Sequence, residues 1–115
     1  MTWKVEANTV QAPSGVRVTL AHPVRETAEV AGVLVVLLRI PKDQSMPENV
    51  FGVSADGNVL WQVEAVATNG AQPYFYYAAV DAQGEDWVRL WNYGGFLAEV
   101  DVHTGLVRRV EERQW

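Results

Sequence analysis

Glycine-ended turns recur between short runs of valine and aromatic residues in this chain, and they leave little room for a helix. Asp56-Gly57, Asn69-Gly70, Gly94-Gly95 and Thr104-Gly105 punctuate the runs. Glycine takes positive φ without steric cost, and β-branched and aromatic side chains suit a pleated, half-buried surface. No window of a dozen residues keeps apolar side chains at three-and-four spacing without a Gly, a Pro or a β-branched run interrupting it. The expectation is a single all-β domain over residues 1–115, built from antiparallel hairpins.

Two turns set register. Asp56-Gly57 suits a two-residue hairpin that places Gly52 opposite Trp61, so the indole can lie across a position with no side chain. Val50, Val59 and Val63 should share that face, while Phe51, Val53 and Leu60 fill the other, which predicts a central hairpin. In Asp101-Val102-His103-Thr104-Gly105, Asp101 can accept hydrogen bonds from the turn's N–H groups and Gly105 can turn left-handed. The flanking strands should then bring Glu99 to Arg108. With a tight turn at Gly94-Gly95 and a looser one from Asp81 to Asp86, residues 74–113 read as a four-stranded meander.

The N-terminal half reads as strands Trp3–Ala7, Val16–Leu20, Val30–Ile40, Val50–Ser54 and Val59–Ala65, with loops at Ala21-His22-Pro23 and Pro41–Pro47. The expected fold is two antiparallel four-stranded meanders packed as a sandwich or flattened barrel, since neither sheet can leave its apolar face uncovered.

The two halves echo each other, with the turn glycines Gly57 and Gly105 lying 48 residues apart. The second hairpin resembles the blade repeat of quinoprotein-like β-propellers, whose strands meet at an Asp-x-x-Thr-Gly turn. A propeller needs about four blades. This chain has room for two, which favours the sandwich over two chains completing a propeller. His22-Pro23-Val24-Arg25, Pro47-Glu48-Asn49-Val50-Phe51, the segment from Asp56 to Val63, Pro73-Tyr74, Trp91–Phe96, Val100-Asp101 and Thr104-Gly105 together resemble a family of small bacterial proteins of no assigned function. That resemblance implies a fold and a bacterial origin but no catalytic residues. Trp91-Asn92-Tyr93-Gly94-Gly95-Phe96 departs from the Asn-Trp-Asn-Gly-Phe that such relatives tend to carry.

Several functions are disfavoured. The net charge is −5, and the one Arg pair, Arg108-Arg109, is followed by Glu111-Glu112, so no basic stripe invites nucleic acid. There is no cysteine, which removes thiol chemistry and Cys-based zinc sites and fits a reducing cytoplasm. The first residues lack the pattern of a signal peptide, and Val30–Ile40 is too short to span a membrane as a helix. His22 and His103 have no ligand-spaced partners, so no metal or cofactor is expected. No Gly-x-Ser-x-Gly motif is present, and Glu85-Asp86 and Glu111-Glu112 would point to opposite faces of a strand.

What stands out is aromatic. With period two, Trp87, Arg89, Trp91 and Tyr93 share one face, close to Tyr74 and Tyr76. Large aromatics commonly fill a core, but Trp, Tyr and Arg also dominate interface hot spots. The preferred reading is a non-enzymatic module that binds another protein, or itself, through these residues, as an immunity or inhibitor protein would. The alternative is a small-ligand or enzymatic pocket lined by Tyr74, Tyr76, Trp91 and Tyr93. Trp3 and Trp115, near the termini, are expected to dock on the fold or on another subunit.

Overall fold

The computed structural model describes residues 2–44, 46–65 and 75–112, and within them every regular element is a strand. An N-terminal sheet holds β1 (Lys4–Glu6), β2 (Thr9–Gln11) and β3 (Arg17–Thr19) in chain order. A middle sheet holds β4 (Val24–Val30), β5 (Val33–Leu38), β6 (Val50–Ser54) and β7 (Val59–Gln62), again in order. The C-terminal sheet runs β11-β10-β9-β8, from β8 (Tyr77–Gln83) and β9 (Trp87–Asn92) to β10 (Phe96–Asp101) and β11 (Val107–Glu112). Every pairing is antiparallel. The C-terminal four-stranded meander is the one the turns predict. In the middle sheet β5, β6 and β7 answer to expected strands, but β4 is not among them. The three-stranded sheet is a further layer that the sequence reading did not separate.

The middle sheet is covered on both faces, and β5 explains why. Its six residues, Val-Leu-Val-Val-Leu-Leu, are all buried. Val33, Val35 and Leu37 join Val50, Val63, Val88, Leu90, Phe96 and Ala98 in a core against the C-terminal sheet. Leu34, Val36 and Leu38 alternate to the other side, where Val10, Leu20 and Val53 complete a second core under the N-terminal sheet. Each such side chain contributes about 1.5–3 kcal/mol by leaving water. Trp3 packs against this second core; Trp115 lies outside the described residues.

The long strand expected over Val30–Ile40 is instead the junction of a hairpin. Val30 pairs with Val33 around Ala31 and Gly32, whose φ angles are 51° and 79°. Two consecutive left-handed residues make the tight turn whose twist suits a two-residue hairpin. Alanine there costs about 1 kcal/mol, which is why its sequence gives no turn signal.

At Asp56-Gly57 the core pair is as expected but the turn is longer. Gly57 N–H donates to Ser54 O (2.9 Å) and Ser54 N–H to Asn58 O (2.9 Å), with Gly57 at φ 87°. Val53 then pairs with Val59, and a bulge restores Gly52 opposite Trp61. The extra residue changes the faces: Val59 and Leu60 are exposed, while Val50, Trp61 and Val63 stay in the core. β7 is also an edge strand, so the hairpin is not central.

Trp61 joins the two meanders. A Cβ at Gly52 in β6 would collide with its indole, and so would one at Gly105 in the β10–β11 turn. Its Nε1–H donates to Val102 O at 2.6 Å. At the opposite edge β4 lies against β8, where the Glu26 carboxylate accepts from Val80 N–H (3.2 Å). Elsewhere in the C-terminal sheet, the Arg108–Glu99 pair forms at 2.7 Å, although a bulge sets Glu99 opposite Arg109 in register. The loose turn expected over Asp81–Asp86 is tighter, because β8 continues to Gln83 and Gly84 N–H donates to Trp87 O (2.9 Å).

Trp61→Ala should therefore cost about 3–5 kcal/mol in urea unfolding. Gly105→Val, which meets both a left-handed φ of 74° and the indole, should cost more than about 1 kcal/mol. Parent-like unfolding midpoints for both would contradict the packing described.

A second prediction concerns acid. Asp101 accepts from His103 N–H (2.8 Å) and Thr104 N–H (3.1 Å), and these bonds, the His103 one foremost, hold its carboxyl below the ordinary 3.8. Because the folded pKa is the lower one, the stabilisation is complete above the ordinary carboxylate range and is lost as pH falls through the folded value. Asp101→Asn should flatten the fall in melting temperature below about pH 4. An acid limb as steep as the parent's would remove Asp101 from the account.

Candidate functional site

Strand β9 sorts its side chains cleanly. Val88, Leu90 and Asn92 are fully buried against the middle sheet. Trp87, Arg89 and Trp91 consequently face outward, each partly covered, and Tyr93 follows them with 51% exposure. The Arg89 guanidinium lies 5.8 Å from the centroid of the Trp87 ring and 4.0 Å from the Asp81 carboxylate. Trp87 also rests on Gly84, where a Cβ would collide with its indole. On β10, Leu97 and Glu99 stand opposite Trp91 and Arg89. The outward face thus carries two indoles beside a cation.

Of the six residues selected from sequence, the structure brings Trp87, Arg89 and Trp91 together on this sheet face. Tyr93 and Tyr76 meet elsewhere, at the ends of β9 and β8, with their rings edge to face at 6.4 Å. Tyr74 lies outside the described residues. The aromatic pocket expected from Tyr74, Tyr76, Trp91 and Tyr93 is therefore divided: an open cleft of about 720 Å³ takes Tyr76 and Tyr93 but not Trp91.

That cleft also gathers Arg25, Arg39, Lys42 and Phe75. Val24 pairs with Leu38 and Glu26 with Leu37, leaving Arg25 as the extra residue of a β-bulge. Bulges re-aim side chains, and here both Arg25 and Glu26 reach the C-terminal sheet. The Arg25 Nη1 donates to Tyr93 Oη (3.1 Å), while Glu26 takes the Val80 amide. Arg39 follows β5, tied by its N–H to Pro23 O (2.8 Å). Tyr76 Oη donates to Gln44 O at 2.5 Å, which fixes its ring.

Asn49 and Tyr77 form the floor. Asn49 is buried and behaves as a piece of strand backbone: its Nδ2 donates to Leu38 O (3.0 Å) and Tyr77 O (2.9 Å), and its Oδ1 accepts from Tyr77 N–H (2.9 Å). Burial, reinforced by Glu64, pushes the Tyr77 phenol well above its ordinary value, so it stays protonated and donates to Glu64 O (3.2 Å). Sequence reasoning missed Arg25, Arg39 and Lys42. The available signal was the pair of proline-flanked segments, Pro23-Val24-Arg25 and Arg39-Ile40-Pro41-Lys42, which become neighbours once the Ala31-Gly32 turn is recognised.

Among the described residues no group of His, Asp or Glu gathers as a set of metal ligands. His103 Nε2 meets Asp86 Oδ1 at 3.0 Å on an exposed rim. No helix among the described residues is long and apolar enough to cross a membrane.

Residues 2–112 match the family model of a domain of unknown function, DUF7957, and the chain belongs to that family. No curated protein and no solved structure matches it.

Asn49→Ala should destabilise by about 1–3 kcal/mol, because it strands a buried amide and two buried carbonyls. An unchanged melting temperature would show that solvent reaches these groups.

Proposed function

We propose that this member of the family is a non-enzymatic protein-interaction module that docks its partner on the outer face of the C-terminal sheet. The observation that carries the reading is the complete burial of Val88 and Leu90, which turns Trp87, Arg89 and Trp91 outward on one strand. The middle sheet is roofed on both sides by other sheets, whereas on this face of the C-terminal sheet Trp87, Arg89 and Trp91 keep part of their surface exposed. Indole and guanidinium groups held on a sheet lose little entropy on binding and bury much apolar area, as interface hot spots do.

The reading extends to a bacterial protein of immunity or inhibitor type, or one that self-associates, acting in a reducing cytoplasm. Self-association would set one four-stranded meander beside another, as blade-like repeats do. The chemistry nearby favours binding over catalysis: Arg89 is engaged with Trp87 and Asp81.

The test is sedimentation velocity with pull-down from the native cell. The wild type should self-associate or retain a defined protein, and Arg89→Glu or a folded Trp87→Ser, Trp91→Ser double variant should lose at least about tenfold in affinity. A monomeric wild type that retains nothing would refute the proposal.

A further inference from the structure

We infer that the cleft beside the ends of β4, β5, β8 and β9 binds a small aromatic anion, meaning a flat ring that carries a carboxylate or a phosphate. This site uses other residues than the tryptophan face and does not depend on that face having a partner.

Charge sets this cleft apart. The chain has nine Lys and Arg in all and a net charge of −5, yet Arg25, Arg39 and Lys42 line one cleft with no Asp or Glu among the described residues that line it. The ion pairs found among the described residues lie elsewhere, at Arg89–Asp81, His103–Asp86 and Arg108–Glu99. Unneutralised cations around a concavity focus a positive potential there. Three of them, set in an acidic surface, suit a small anion and not a polymer.

The cleft is also preorganised. The bulge at Arg25 and its bond to Tyr93 Oη hold one guanidinium at the cleft, and most of its five N–H donors remain for a ligand. Guanidinium groups match carboxylate and phosphate with paired, charge-assisted hydrogen bonds.

An aromatic wall adjoins the cations. Phe75 and Tyr93 are 44% and 51% exposed, and Tyr76 is fixed by Gln44. Apolar ring faces beside free cations are what a flat, charged ligand would cover. Another hollow, by the N-terminal sheet, mixes Lys4 and Arg17 with Glu6 and has no aromatic residue, so it lacks both features. The cleft's about 720 Å³ falls within the usual range of ligand pockets.

Isothermal titration calorimetry on the whole chain tests this with four probes: indole-3-carboxylate, adenosine monophosphate, adenosine and inorganic phosphate. At least one of the two aromatic anions should bind saturably, and which one does so separates carboxylate from phosphate sources. Adenosine and inorganic phosphate should bind at least about tenfold more weakly than that anion. An Arg25→Gln, Arg39→Gln double variant with an unchanged melting temperature should lose at least about tenfold in affinity, whereas the Trp87→Ser, Trp91→Ser variant should keep it. No saturable binding of either aromatic anion at millimolar concentration would overturn the inference, as would equal binding by the double arginine variant. So would adenosine or phosphate binding as tightly as the aromatic anion.

Discussion

One indole holds the two meanders in register. Trp61 sits on an edge strand of the middle sheet, lies against Gly52 of its own sheet and Gly105 of the other, and donates to Val102. Its contacts leave no space for a side chain at either glycine, so three positions far apart in sequence depend on one another. The opposite edge is joined by hydrogen bonds: the Glu26 carboxylate accepts from a β8 amide, Arg25 donates to Tyr93, and Asn49 bonds the backbone of Tyr77. Between these two seams the cores of both meanders fill with valine and leucine.

The sequence carried most of the C-terminal sheet because its turns are spelled in residues that have few alternatives. Asp101, Thr104 and Gly105 form the expected hydrogen-bonded turn, and Glu99 reaches Arg108 as expected despite a shift in register. The N-terminal half was harder for two physical reasons. Ala31 adopts a left-handed conformation without being a turn-forming residue, which hid a hairpin inside an apolar run. The strand before it, Val24–Val30, goes unassigned from sequence, because Arg25, Glu26 and Thr27 in succession break the alternation that marks a half-buried strand.

The candidate site was partly legible for the same reason. Period two correctly placed Trp87, Arg89 and Trp91 on one face, because β9 is regular throughout. It could not reveal that Arg25 would turn towards Tyr93, since that depends on a bulge, and a bulge leaves no pattern in a single sequence. A bulge in β4 built the cleft, and the uninterrupted pairing of β9 with β10 built the tryptophan face.

The double coverage of β5 has a consequence for how the molecule opens. Its amides pair with strands on both sides, and its side chains alternate between two cores. Loss of the short N-terminal strands would uncover Leu34, Val36 and Leu38, with Val53 of β6, on one face while leaving the ladders of the middle sheet intact. Hydrogen exchange at the β5 amides accordingly requires separation of the whole middle sheet. Their exchange rate reports the global unfolding free energy, whereas the amides of β1 to β3 report the free energy of lifting that sheet from the second core.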